Sequence, residues 1–195
     1  MSIMSKEIKI AITGTIGSGK TTVSDYIRDK GYYVFDADKV NAELLLEGNL
    51  GYLEVKKHFP EVFDGNMLNK AKLASIVFEN DDKRKELENT MHPLILEVMN
   101  KEAKKHKVFF AEIPLLFEVN WDRYFDYSFL VVADKEIALN RLVLRGLSKK
   151  ESNRRIKNQM NVELKKKRAT EIIYNNSNLK DLYKEVDKLL DKYVR

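Results

Sequence analysis

A chain of 195 residues, 44% of them hydrophobic and 10% aromatic, has the apolar content of one folded domain with an ample core and too much of it for a disordered chain. With no cysteine and three scattered histidines, His58, His92 and His106, disulfides, thiolate metal sites and cysteine nucleophiles are excluded and a histidine metal cluster is disfavoured. The net charge of +5 is uneven: residues 141–168 hold eleven Lys or Arg against two acids, leaving the rest of the chain acidic, the pattern of a body that grips a polyanion at one place.

No apolar run reaches the roughly 18–20 residues of a membrane span. The start MSIMSKEIKIAITG lacks the long apolar block and small-residue cleavage site of a signal peptide. A cytoplasmic protein without membrane contact is expected.

In chain order, IKIAITG (8–14) is β-branched and apolar and ends in Gly, as a buried strand does. KTTVSDYIRDKG (20–31) follows with Val23, Tyr26 and Ile27 at helical spacing and Gly31 as a stop. YYVFDAD (32–38) reads as a second strand closing on two acids. Residues 39–106 carry helical periodicity broken by GNLG, FP and DGN, with no convincing strand, and read as a helical insertion. KVFFAEIPLLFE (107–118) and YSFLVVAD (127–134) suit parallel strands covered on both faces. KEIALNRLVLRG (135–146) is a helix, EIIYN (171–175) a last strand and LKDLYKEVDKLLDKYV (179–194) a closing amphipathic helix. The expected fold class is α/β: three α/β/α layers around a parallel five-stranded sheet. Its core spans about 7–38, 107–146 and 169–195, with the helical region at about 39–106 and the basic segment at about 147–168 set into it.

Between the first strand and helix lies GTIGSGKTT (14–22), in which Gly14, Gly19, Lys20 and Thr21 satisfy G-x-x-x-x-G-K-[ST]. Glycines let the backbone curl until several N–H groups converge, and the helix opening near Lys20 adds its positive dipole end. Lys20 supplies a point charge for the β- and γ-phosphates of a nucleoside triphosphate, and Thr21 a hydroxyl for Mg²⁺, which prefers hard oxygen ligands. The loop names a phosphate donor and leaves the acceptor open.

Four further groups bear on the acceptor. DAD (36–38) offers two carboxylates at the carboxyl end of the second strand, where α/β sheets place their ligands. They could take a hydroxyl proton or hold metal-bound water, or equally cap the following helix. Glu112 in EIPLLFE (112–118) could face the metal region, although a core strand running into a loop explains it as well. MHPLI (91–95) puts His92 before Pro93 at a plausible helix start, where it would be a cap. Arg141 and Arg145 share a helix face, and LSKKESNRRIKNQMNVELKKKR (147–168) is polar, helical and hard to bury. It is either a solvated face or a hinged basic lid that clamps phosphoryl oxygens and excludes water.

Taken together, GTIGSGKTT, FDADKV, LASIVFEN, LENTMHPLI, EIPLLFE, RLVLRGLSKKESNRRIKNQ and ATEIIYNN resemble, in order and spacing, the dephospho-coenzyme A kinase family of P-loop kinases from about residue 8 to residue 190. The resemblance implies transfer of the γ-phosphate of ATP, with Mg²⁺, to the ribose 3′-hydroxyl of dephospho-CoA, the last step of coenzyme A synthesis. Carried over residue by residue, it implies that Gly17, Ser18, Gly19, Lys20, Thr21 and Thr22 bind ATP phosphates. It also implies Thr21 as the metal contact, Asp38 as the base and Asp36 as its support at the acceptor or the magnesium shell. His92 and Pro93 would line the acceptor pocket. Arg141 and Arg145 would act at the nucleotide, with Arg145 among the catalytic groups, while Arg155 and Gln159 would reach the substrate from the lid and Asn175 would lie near the adenine. The implied partner is a small molecule, with no nucleic acid or membrane, and the chain a monomer or weak oligomer. Three positions and one tripeptide depart from the family pattern: Thr15 for Gly, Glu112 for Asp, Thr170 for an acid, and NNS (175–177) for a glycine-containing ending. The rival readings are a nucleoside monophosphate or shikimate-type kinase with the same loop and lid, and a nucleotide switch or nucleic-acid binder using the basic block. A guanine-reading N-K-x-D stretch is absent.

Overall fold

The computed structural model describes residues 7–194. The chain forms two compact units, one running to Phe35 and resuming at Ala103, the other comprising Asp36–Glu102.

The first unit is built on β1 (Ile8–Gly14), followed by α1 (Lys20–Asp29) and β2 (Val34–Asp36). β2 is shorter than the run 32–38 predicted, because the Asp36 carboxylate accepts a hydrogen bond from the Lys39 N–H at 2.9 Å and opens a helix there.

That helix, α2 (Ala37–Leu44), begins the second unit, with α3 (Leu50–His58), β3 (Phe63–Asp64), β4 (Met67–Leu68), α4 (Lys70–Glu79) and α5 (Asp81–Ala103). The expectation of no strand here is corrected. DGN, read only as a helix break, turns an antiparallel hairpin in which Phe63 faces Leu68 and Gly65 takes φ +66°. The expected helix start at His92 is also corrected: Pro93 lies inside α5. Its missing N–H forfeits one bond to the preceding turn, a defect that a 23-residue helix outlasts. Tyr52, Val55, Phe59, Val62, Leu73, Met91 and Ile95 are buried in this unit.

The first unit resumes with β5 (Val108–Glu112), β6 (Tyr127–Val132), α6 (Lys135–Leu144), α7 (Lys149–Lys157), α8 (Val162–Arg168), β7 (Glu171–Tyr174) and α9 (Leu179–Tyr193). Its sheet has the order β2-β5-β1-β6-β7, with β1 parallel to β5 and β6, and β6 parallel to β7. Helices cover both faces, and continuous apolar runs fill the central strands because neither face meets water. Ile10, Ile12, Phe110, Phe129, Val131 and Ile173 pack with Val23 and Ile27 of α1 and Leu182, Val186 and Leu190 of α9. The alternate residues Ala11, Phe109, Ala111 and Leu130 are equally buried.

The basic segment is two helices, divided at residues 158–161 and capped by the Ser148 hydroxyl and the Asn161 side-chain Oδ1, which accept from the Glu151 and Glu163 N–H groups. The expectation that it is hard to bury fails at Lys165, which is fully buried with its ammonium 2.7 Å from Glu118. Arg168 is tied down as well, donating to the Phe117 carbonyl at 2.8 Å and to Asp122 at 2.6 Å. Among the described residues, no helix is long and apolar enough to cross a membrane.

Candidate active site

The loop between β1 and α1 needs glycine at three places for distinct reasons. A Cβ on Gly14 would stand 2.8 Å from the Val131 carbonyl, and one on Gly17 would stand 2.7 Å from the Ala138 carbonyl. Gly17 and Gly19 have φ of +76° and +89°, a region L side chains avoid, and a Cβ on Gly19 would collide with the Asn175 amide. Thr15, by contrast, lies outside the left-handed region. Its N–H donates to the Val131 carbonyl at 3.3 Å and its carbonyl accepts from Ser18 at 3.1 Å. That departure from the family pattern is therefore conformationally neutral.

Strand register brings the first carboxylate to the loop. β1 and β5 run parallel with Ile12 beside Glu112, so the end of β5 meets the chain where β1 turns into the loop. Glu112 Oε1 forms an ion pair with the Lys20 ammonium and accepts from the Thr21 hydroxyl at 3.0 Å. Burial pushes the Glu112 carboxyl up, and the Lys20 charge and hydrogen bond, with the Ser24 and Thr21 hydroxyls, more than offset it, so its pKa falls below the ordinary carboxylate value. Its second oxygen, Oε2, is buried.

α6 braces the loop from behind. The Arg141 guanidinium donates to the Gly17 and Ser18 carbonyls at 3.4 and 3.2 Å and to the Asn175 carbonyl and Oδ1 at 3.1 and 3.3 Å. Asn175, buried at the end of β7, donates its amide to the Ser18 carbonyl at 2.7 Å. These bonds tie the loop's Gly17 and Ser18 carbonyls to α6 and to the end of β7. A cavity of about 240 Å³ is lined by residues 14–21 with Pro114, Arg145 and Gln159. Gln159 Oε1 accepts from the Ile16 N–H at 2.7 Å. One cavity thus unites a glycine loop, a lysine, a hydroxyl and an arginine, with the lysine and hydroxyl also meeting the buried Glu112, an arrangement suited to stabilising a transferring phosphoryl group.

The family model for dephospho-CoA kinase matches residues 8–181. The chain belongs to the dephospho-CoA kinase family. A dephospho-CoA kinase from Helicobacter pylori (strain J99) is 39% identical over 189 residues, covering 93% of this chain and 95% of the relative. Among solved structures, TT1252 from Thermus thermophilus superposes with a TM-score of 0.88 at 36% identity, covering 97% of this chain and all of that one. Dephospho-CoA kinase from Campylobacter jejuni gives 0.69 at 30%, covering 94% and 96%. Membership makes the chain a P-loop kinase, an ATP-using transferase of coenzyme A synthesis.

Against the residues expected for a dephospho-CoA kinase, the structure brings Gly17, Ser18, Gly19, Lys20, Thr21, Arg141, Arg145, Gln159 and Asn175 together at the loop. Thr22 follows in the first turn of α1. Arg155 is not among them: it lies exposed on α7, paired with Glu151 at 2.7 Å. Within the second unit, Asp36 caps α2, Asp38 stands in that helix's first turn, and His92 and Pro93 are mid-α5. His92 is half-buried, and burial, opposed by the Glu88 charge, lowers its pKa. This unit holds an open cavity of about 650 Å³ bordered by Leu50, Asn89, Thr90 and Leu94, of a size that takes a small organic molecule. On its border His58 stands between Glu54 at 3.7 Å and Glu86 at 3.6 Å.

Two other departures from the dephospho-CoA kinase pattern have structural explanations. The Thr170 hydroxyl accepts from the Ser128 N–H at 3.0 Å, clipping β7 to β6. The Asn176 side chain accepts from the Asp134 N–H at 2.8 Å and donates to its carboxylate at 2.9 Å, a two-point clip that serves without glycine. Sequence reasoning missed Glu118, which anchors Lys165 and accepts from the Met160 N–H at 3.3 Å. Its place at the end of EIPLLFE was the available signal.

Proposed function

We propose that this chain transfers the γ-phosphate of ATP to the ribose 3′-hydroxyl of dephospho-CoA, giving CoA and ADP, with the β1–α1 loop as donor site. The observation that carries the reading is the convergence of Lys20 and Thr21 on one oxygen of Glu112, at a glycine loop that lines a cavity together with Arg145. Phosphoryl transfer of this kind asks the protein to position groups and supply charge. Lys20 neutralises the β- and γ-oxygens, the loop N–H groups from Gly17 to Thr22 cradle them, and Arg145 offsets charge on the moving group. Arg141 and Asn175 keep the loop in shape at the nucleotide end. Asp38 orients the acceptor hydroxyl and takes its proton, and Asp36 holds the start of α2, from which Asp38 projects. His92, Pro93 and Arg155 belong to the acceptor's contacts, and the basic helices exclude water.

The chemistry of the donor set fits Mg²⁺. Thr21 offers a hydroxyl and Glu112 a buried carboxylate oxygen, hard ligands that suit it either directly or through water. Among the described residues no group of three or more His, Cys, Asp or Glu could hold a metal alone. Magnesium bound beside the triphosphate would withdraw charge from the phosphate oxygens.

The ion pairs that the basic segment makes, Arg155–Glu151 and Lys166–Glu163 within it and Lys165–Glu118 to the rest of its unit, support a lid over a surface for nucleic acid. A monomer or weak oligomer acting in the cytoplasm completes the reading. A coupled assay of ADP formation tests it, with dephospho-CoA beside shikimate and nucleoside monophosphates. Turnover with dephospho-CoA alone is expected, and turnover only with another acceptor would overturn the assignment.

A further inference from the structure

We propose that Gln159 is a positioning residue that clamps the apex of the phosphate loop through the Ile16 amide, holding the cradle in shape before any nucleotide arrives. The clamp deepens the kinase reading above and rests on it for its role in ATP binding, although the clamp itself is a property of the free protein.

The loop cannot satisfy its own apex. Its backbone bonds run from the Thr15 N–H to the Val131 carbonyl of β6 and from the Ser18 N–H to the Thr15 carbonyl. Neither provides an acceptor for Ile16, whose N–H instead donates to Gln159 Oε1 at 2.7 Å, a partner 143 residues away in sequence. Gln159 lies in the short connection between α7 and α8, and that corner is itself fixed. The next residue, Met160, donates its N–H to Glu118 Oε1 at 3.3 Å, and buried Lys165 holds the same oxygen at 2.7 Å. Glu112 and Glu118 close the two ends of EIPLLFE. One seven-residue segment therefore holds the loop twice, at its base through Glu112 to Lys20 and Thr21, and at its apex through Glu118, the α7–α8 corner and Gln159.

The residue type fits the task. A backbone N–H needs an acceptor, which none of the neighbouring lysines or arginines can offer. A glutamate could accept, but it would set a negative charge against bound phosphate. Glutamine accepts with Oε1, and that bond orients the amide so that its NH₂ end is the one left over, in a side chain lining the same cavity as Arg145 and Lys20. The clamp thus adds neutral donors to the cradle as well as shape.

The test follows the Ile16 amide in the ligand-free full chain by residue-resolved hydrogen exchange, alongside kcat and KM for ATP and dephospho-CoA. In Gln159→Ala, and in Gln159→Asn, whose side chain is one methylene too short, Ile16 exchange is expected to accelerate about tenfold while Ile10 and Ile12 in β1 stay protected. Gln159→Glu keeps the acceptor, so Ile16 stays protected, yet KM for ATP rises most in this variant because of the added charge. In Gln159→Ala, KM for ATP rises about two- to tenfold with KM for dephospho-CoA unmoved. Ile16 exchange unchanged in both Gln159→Ala and Gln159→Asn would overturn the clamp, whatever the activities. Ile16 responding in a chain without dephospho-CoA turnover would instead retain the clamp and remove the functional reading.

Discussion

Gly19 and Gly31 share one backbone conformation, φ +89° in both, and differ in their surroundings: a Cβ on Gly31 meets nothing within 4 Å, whereas one on Gly19 runs into the Asn175 amide. Substituting alanine at each therefore separates backbone strain from collision. Strain alone costs Gly31→Ala about 1–2 kcal/mol, a fall in Tm of about 2–8 °C for a chain of this size, with turnover unchanged. Gly19→Ala carries the same strain and must also displace Asn175, breaking its 2.7 Å bond to the Ser18 carbonyl and disturbing the two bonds it accepts from Arg141. Leaving such buried groups unpaired adds about 1–3 kcal/mol, so Tm should fall by about 4–20 °C. Because the displaced groups hold the loop's carbonyls, the cradle shifts, and a shift of about 1 Å can cost a hundredfold in kcat/KM. Thermal unfolding and steady-state kinetics on the two purified variants measure both effects. Equal losses of stability, or wild-type turnover in Gly19→Ala, would refute the argument that Asn175 and the loop are mutually fitted.

Asp38→Asn should bind ATP normally and lose about 10²–10⁴-fold in kcat; unchanged turnover would remove Asp38 as the base. Lys165→Met leaves the Glu118 carboxylate without its cation and should cost about 2–4 kcal/mol, readable as a lower urea midpoint. Adding Glu118→Gln to that variant should recover part of the loss, and a single variant as stable as the parent would refute the anchoring role. Stability should also fall with acid in two stages. The native state keeps half-buried His92 neutral, its pKa below the ordinary 6.5. From about pH 6.5 downward the unfolded chain therefore takes up a proton first and gains on the native state. Glu112, held below the ordinary 4.5 after Lys20 outweighs its burial, contributes in full above about pH 4.5, and its contribution is lost as pH falls through the lower folded value. Denaturant melts from pH 8 to pH 3 should show His92→Gln flattening the upper stage and Glu112→Gln the lower; unchanged slopes would refute the assignments.

Much of the proposed donor site was legible because its requirements are local. Curling a backbone around phosphate takes glycines, a lysine and a hydroxyl within one short stretch, and GTIGSGKTT holds them contiguously. The sheet was legible because strands buried on both faces must be apolar throughout. Elements of mixed character were not. The DAD carboxylates read equally as base or cap, and Asp36 proved to be a cap because Lys39 offers its N–H within one turn. His92–Pro93 read as a helix start, since proline is commonest there, yet α5 is long enough to carry Pro93 internally.

By itself, then, the sequence determined what depends on near neighbours: the phosphate loop, the strand and helix alternation, and the motif order that marks the dephospho-CoA kinase family. Tertiary structure alone decided which distant side chains meet. The parallel register of β1 with β5 sets Glu112 on Lys20, the run of α8 buries Lys165 on Glu118, and the α7–α8 corner lays Gln159 on Ile16. Each pairing joins groups far apart in the chain. A lysine in KKKR or a glutamine in KNQM has the local signature of a solvated surface residue, and only packing shows that it is an anchor.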